Sequence, residues 1–283
     1  MTVIGAVSAH FRRDIDFDLD RVSAIVADAV DRDVELLVLP HGVLGGYHDA
    51  LDASTPTDGP PALPPAFDLD GPEVASLATR CAGLTVVCGI TERVGDRRSN
   101  TAVCIVDGQV VGRHRKVHLP SGERAHYVEG DRFDVVDTPH GPVGLMVDYD
   151  KTFPEAARSL AASGARILAI PCAWPASRTN KADTLTRDRQ RRMFDLYDQA
   201  RAAENQVVVV SANQIGRHGN LRFFGQSKIV QPDGDVRSVV GARSGMAVAD
   251  IDVEEAVDAA RRTFSHLDEL RPIAYRTHVD SRR

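Results

Sequence analysis

Two patterns of hydrophobic and polar positions recur along the chain: short apolar runs bounded by turn residues, and longer stretches with apolar residues at helical spacing. Residues 3–7 form the first run. Residues 18–33 form the first helical stretch, with Val22, Ile25, Val26, Ala29 and Val30 on one side and Asp20, Arg21, Asp28, Asp31 and Arg32 on the other. The next run, 34–39, is apolar through most of its length, which suits a strand covered on both faces. Further strands are expected at 84–90 and at 101–106, the latter turning through Asp107-Gly108 into 110–113. Others follow at 133–136, 143–147, 167–170, 207–211 and 246–251, with 225–230 and 236–240 paired through Pro232-Asp233-Gly234. The remaining helices are predicted at 72–82, capped by Asp70, at 154–163, at 181–204 and from 253 onward.

Strand, helix, strand, helix, strands, and then a similar series again: this order predicts a pseudo-duplicated α/β domain with no linker, spanning 1–275. The Arg-rich residues 276–283 read as a frayed terminal tail. After Tyr47, Pro56, Pro60, Pro61, Pro64 and Pro65 exclude regular structure, so this segment reads as a surface loop or as a lid over a site. One junction stands out. The run 143–147 ends in Asp148-Tyr149-Asp150, and Pro154-Glu155 opens a helix. Ligands in open α/β sheets gather beyond the carboxyl ends of strands, so Asp148 occupies a candidate functional position.

Composition narrows the function classes. A formal charge of −6 gives no basic field to attract a phosphate backbone, so no nucleic-acid partner is expected. The four cysteines fall at no metal-binding spacing and read as reduced thiols, three of them in apolar runs. No signal-peptide pattern and no membrane-span run is present, and the expected location is cytoplasmic.

Several stretches, taken in order, resemble the nitrilase or carbon–nitrogen hydrolase superfamily. They are Leu36-Leu37-Val38-Leu39-Pro40 with Gly45-Gly46-Tyr47, Asn100-Thr101-Ala102, Lys116-Val117-His118-Leu119-Pro120 with Glu123, and Gly130-Asp131. Tyr149-Asp150 with Phe153-Pro154-Glu155, Gly164-Ala165, Pro171-Cys172-Ala173-Trp174-Pro175, Gly225-Gln226-Ser227 and Pro232-Asp233-Gly234 continue the series. The resemblance implies a four-layer αββα sandwich that pairs into a homodimer or higher homo-oligomer, a small-molecule substrate and no cofactor. It also implies a Glu–Lys–Cys triad in which a thiolate attacks a nitrile, amide or carbamoyl carbon.

Two of those three positions are altered. Lys116 is retained, His41 stands where the glutamate is expected, and Asp148 stands where the cysteine is expected. A carboxylate is a far weaker nucleophile than a thiolate, so acyl-enzyme chemistry at Asp148 is not expected. The pair of changes nevertheless keeps an anion beside Lys116. One reading therefore casts His41 as acid/base, Asp148 as its orienter or as anchor for a cationic group and Lys116 as electrostatic stabiliser, while the resemblance implies Glu123 as an orienting residue. On this reading the substrate is an amide, amidine, carbamoyl or hydrazine-like molecule. A catalytically silent binding or scaffold protein is the alternative, and a relocated nucleophile at Cys172 is a third. Tyr47, Tyr149, Cys172 and Trp174 are candidate pocket walls, with core packing as the other reading. His114 and His118 read as solvent-facing or structural. A metal site begun by His41 and Asp148 lacks an evident third ligand.

Overall fold

The computed structural model describes residues 1–48 and 63–275. The expected tail and most of the proline-rich segment, Pro56, Pro60 and Pro61 included, lie outside the described residues. β1 (Thr2–Ser8), α1 (Ile15–Val30) and β2 (Leu36–His41) make a β–α–β unit. α2 (Pro72–Arg80) leads to the meander β3 (Thr85–Val94), β4 (Arg97–Val106) and β5 (Gln109–Arg115), and the single turn α3 (Ser121–Arg124) follows. The second series is β6 (Val135–Thr138), β7 (Gly141–Leu145), α4 (Pro154–Ala162), β8 (Ile167–Cys172), α5 (Arg189–Asn205) and β9 (Val208–Asn213). After a small hairpin, β10 (Ile215–His218) and β11 (Leu221–Phe224), come β12 (Lys228–Val230), β13 (Val236–Val239), β14 (Gly245–Ile251) and α6 (Val253–Arg261).

Two six-stranded sheets result, ordered β14-β1-β2-β3-β4-β5 and β13-β12-β9-β8-β7-β6. Each holds a parallel trio, β1-β2-β3 in one and β7-β8-β9 in the other, extended by antiparallel strands on both sides. The duplication read from the order of elements is therefore present in the strand pairing.

Alternation along the strands sorts side chains into layers. Leu36 and Val38 of β2 meet Ile167 and Ala169 of β8 and Val208 and Val210 of β9 in a core between the sheets. Leu37 and Leu39 pack instead with Val22, Val26 and Leu77 of α1 and α2. Leu168, Ile170 and Val209 pack with Ala157, Leu160 and Phe194 of α4 and α5. Helix, sheet, sheet, helix is the αββα sandwich. Among the described residues no helix is long and apolar enough to cross a membrane.

The boundaries differ from the sequence reading in a few places, each with a local cause. Asp70 does not cap α2: the cap position is Gly71, and Pro72 at the first turn has no N–H to satisfy. The helix expected from 181 begins at Arg189, because the Asp188 carboxylate accepts the N–H groups of Gln190 and Arg191 and sets the start. The segment 116–123, read as a polar loop, buries Lys116, Leu119 and Glu123. The β10–β11 hairpin was not anticipated.

Candidate active site

β5 and β7 deliver the site. Past the end of β5, Lys116 N–H still donates to Asn100 O of β4 at 2.8 Å, so the lysine leaves the sheet in strand geometry. α3 returns Glu123, whose two carboxylate oxygens lie 2.9 and 2.8 Å from Lys116 Nζ. Tyr47 OH donates to Glu123 Oε1. All three side chains are buried.

Beyond β7 the chain enters a 3-10 turn, Asp148–Thr152, whose first residue has φ +44°. That left-handed conformation is costly for a side chain with a Cβ and persists only where its surroundings impose it. They do here. Asp148 Oδ1 accepts the Ala173 N–H, and Oδ2 faces Lys116 Nζ at 3.5 Å with no hydrogen bond among the described residues.

Asp150 holds the turn. Its carboxylate accepts the N–H groups of Val147, Val117 and His118, as well as His114 Nε2 and His118 Nδ1, each at 2.9 Å. Burial pushes its carboxyl up, but the bonds from His114 and His118 outweigh this and leave it well below the usual carboxylate range. Both histidines are therefore structural partners of the elbow. Lys151, in the same turn, is buried against Asp198 of α5 at 2.7 Å, and Asp198 also takes Lys228 Nζ at 3.1 Å and Ser211 Oγ at 2.7 Å.

Electrostatics within the site follow from burial and charge count. Burial disfavours the Lys116 ammonium, but Glu123 and Asp148 outweigh it and its pKa lies above the ordinary lysine value. Asp148 shifts as well, and the largest cause is burial. Burial raises its carboxyl, opposed by Lys116 and by the Ala173 N–H.

His41 stands apart from this cluster. The β2–β3 register shifts between Val38 and His41, and such a bulge re-aims a strand-end side chain. Its Nε2–H donates to Asn100 Oδ1 at 3.0 Å, which leaves Nδ1 bare and without a partner among the described residues. Nδ1 faces Gly89, where a Cβ would come within 2.2 Å of it. Burial, then Lys116, lowers the imidazole pKa to about 4. The expectation that Asp148 orients His41 is thus corrected: no hydrogen bond joins the two, and Asn100 has that place.

Of the expected pocket walls, Tyr47 reaches the cluster and packs with Ala173, Leu221 and Phe223. Tyr149, Cys172 and Trp174 belong instead to the core between the second sheet and α4 and α5. The Cys172 thiol contacts Ile170 O at 3.2 Å, and burial raises its pKa, so it is not a thiolate. Among the described residues no group of three or more His, Cys, Asp or Glu could hold a metal ion.

Sequence reasoning passed over Asn100, Asp150 and Asn213 as functional residues. Asn213 accepts the Trp174 N–H at 2.8 Å and donates to Trp174 O and Gly225 O, which fixes the loop that presents the Ala173 N–H. The available signal was a polar residue at the edge of each apolar run.

A family model described as carbon-nitrogen hydrolase matches residues 4–261. The chain is 31% identical over 271 residues, 93% of its length and 86% of the relative's, to a protein of Pseudomonas protegens named hydrolase in pqqF 5′ region. It is 30% identical over 261 residues, 91% of its length and 87% of the relative's, to an (R)-stereoselective amidase of Pseudomonas sp.. The crystal structure of a carbon-nitrogen hydrolase from Helicobacter pylori G27 shares the fold at a TM-score of 0.81 with 22% identity, covering 97% of this chain and 96% of that one.

Proposed function

The chain belongs to the carbon–nitrogen hydrolase family, and from that membership we propose that it acts on a small amide, amidine, carbamoyl or hydrazine-like molecule through a buried carboxyl–ammonium pair instead of a thiolate. The observation that carries this is the Asp148 carboxyl. One oxygen is anchored by a backbone N–H, the other faces Lys116 without a hydrogen bond, and burial favours a retained proton. A carboxyl held above its ordinary range in this way is suited to carry a proton in either direction. Lys116 stabilises negative charge that develops on a carbonyl oxygen, while Asp148, in the ionised form that Lys116 and the Ala173 N–H favour, takes a proton from water as it attacks the substrate carbon and gives that proton to the nitrogen as the carbon–nitrogen bond breaks. Glu123 and Tyr47 hold Lys116 in place. His41, neutral and donating to Asn100, positions the wall of the site and does not serve as the base. The similarity to an (R)-stereoselective amidase supports an amide-type substrate.

Ammonia release from a panel of aliphatic amides, amidines and N-carbamoyl amines tests the proposal. Asp148→Asn and Lys116→Met each lower turnover by about 10²-fold or more, the scale of a lost acid/base or charge-stabilising group, while Cys172→Ser keeps it. Unchanged turnover in Asp148→Asn overturns the assignment. The silent binding protein is the second reading, favoured by the absence of a thiol at position 148 and by the buried, protonated Cys172. It predicts compounds that bind, are recovered intact, and tolerate Asp148→Asn.

A further inference from the structure

The β10–β11 hairpin has two faces. Leu221 and Phe223 point inward and pack on Tyr47, which bonds Glu123. On the other face Arg217 and Arg222 stand directly opposite each other across the ladder. Like charges in that arrangement are destabilising unless something anionic lies between them or beside them. Beside them is a cavity of about 130 Å³ whose charged lining is Arg178, Lys181, Arg217, Arg222 and Asp188.

Arg178 apart, Lys181, Arg217 and Arg222 share one carboxylate in this lining, and that carboxylate is already committed. Asp188 is 3% exposed and accepts the N–H groups of Ser177, Gln190 and Arg191. Among the described residues Lys181, Arg217 and Arg222 form no ion pair. In a chain of formal charge −6, such a positive concavity is a local arrangement and not the overall balance. The two sides of the cavity are tied where Ala176 N–H donates to Arg222 O at 2.7 Å and Pro175 bridges Phe223.

We propose that this cavity is an oxyanion site for a phosphate group, free or as a small phosphate monoester. A dianion matches the surplus charge better than a monocarboxylate does, and guanidinium groups offer it paired N–H donors. Bound there, it links the 176–188 segment to the outer face of the hairpin whose inner face supports Tyr47. The site is separate from Asp148 and Lys116, so its existence does not depend on the reaction assigned to them.

The test is calorimetric titration of the full chain with inorganic phosphate, glycerol phosphate, acetate and chloride at matched ionic strength. Saturable binding of phosphate or glycerol phosphate at millimolar or lower concentration is expected, with acetate and chloride failing to compete. Arg217→Ala/Arg222→Ala, at exposed positions, weakens it by about tenfold or more and abolishes the accompanying rise in melting temperature. A preference for the ester over free phosphate identifies the source of the anion. Absence of saturable binding, equal binding of chloride at matched ionic strength, or undiminished phosphate binding by the folded double variant overturns the proposal.

Discussion

His41 shows how far burial changes a residue from what its type suggests. Imidazole was attractive as an acid/base because it titrates near neutrality, but here it is fully buried beside an ammonium and its pKa falls to about 4. Its effect on stability has a definite sign. Below the ordinary pKa of 6.5 the unfolded chain takes up a proton that the folded chain refuses until about pH 4, so the contribution is complete above pH 6.5 and is lost as pH falls through that window. The shift corresponds to about 3 kcal/mol. Urea denaturation of the parent and of His41→Gln between pH 7 and pH 4 measures it. The parent loses about 3 kcal/mol more than the variant across that range, and parallel curves would contradict a buried neutral imidazole. Which residues matter was partly legible at this scale. Lys116, Glu123, Asp148 and Tyr47 were singled out and are adjacent in space. That Asn100 accepts the His41 N–H was not, because the pairing joins the bulged end of β2 to a residue within β4 and leaves no local pattern in the chain.

At the scale of elements, apolar runs and turn dipeptides located most strands, since a strand covered on both faces must be apolar almost throughout. Asp107-Gly108, both at positive φ, turn β4 into β5 as those residue types require. The β10–β11 hairpin escaped notice because one of its faces carries arginines and its strands are four residues each. α5 was misplaced at its start because polar residues continue upstream of its cap. Its polar sequence also conceals its main attachment: Asp198, fully buried, ties the turn carrying Asp148 to β12 through Lys151 and Lys228. Asp198→Ala removes the ion-pair carboxylate of the buried Lys151 and leaves Lys228 with Asp195 alone, and costs about 3–5 kcal/mol in urea denaturation. Asp198→Asn, which keeps one oxygen as acceptor for Ser211 and Lys151, costs less. A change within about 0.5 kcal/mol for the alanine variant would show that α5 is held by its apolar contacts alone.

On the scale of the whole molecule, the site exists only where the two halves of the duplication meet. Lys116 and Glu123 come from the first series and Asp148 and Ala173 from the second, and Gln214 links them by accepting Phe11 N–H and donating to His41 O. The last strand closes the arrangement. β14 pairs with β1 from Thr2↔Ile251 to Ser8↔Gly245, and Ala247, Ala249, Ile251, Val253 and Val257 contribute to the core between the sheets. A chain ending at Ser244 therefore loses both the partner of β1 and one end of the shared core, and exposes an unpaired apolar edge. It should be recovered mainly as aggregate and show no cooperative thermal transition. A chain ending at Leu270 keeps β14, α6 and the bonds from Gln206 to Ala260 O and Phe264 O, and should melt within a few degrees of the parent. Differential scanning calorimetry on the soluble fraction decides between these outcomes. A cooperative transition in the shorter chain at the parent's temperature would mean that the first sheet is complete without β14, and that the meeting of the halves does not need the strand that closes it.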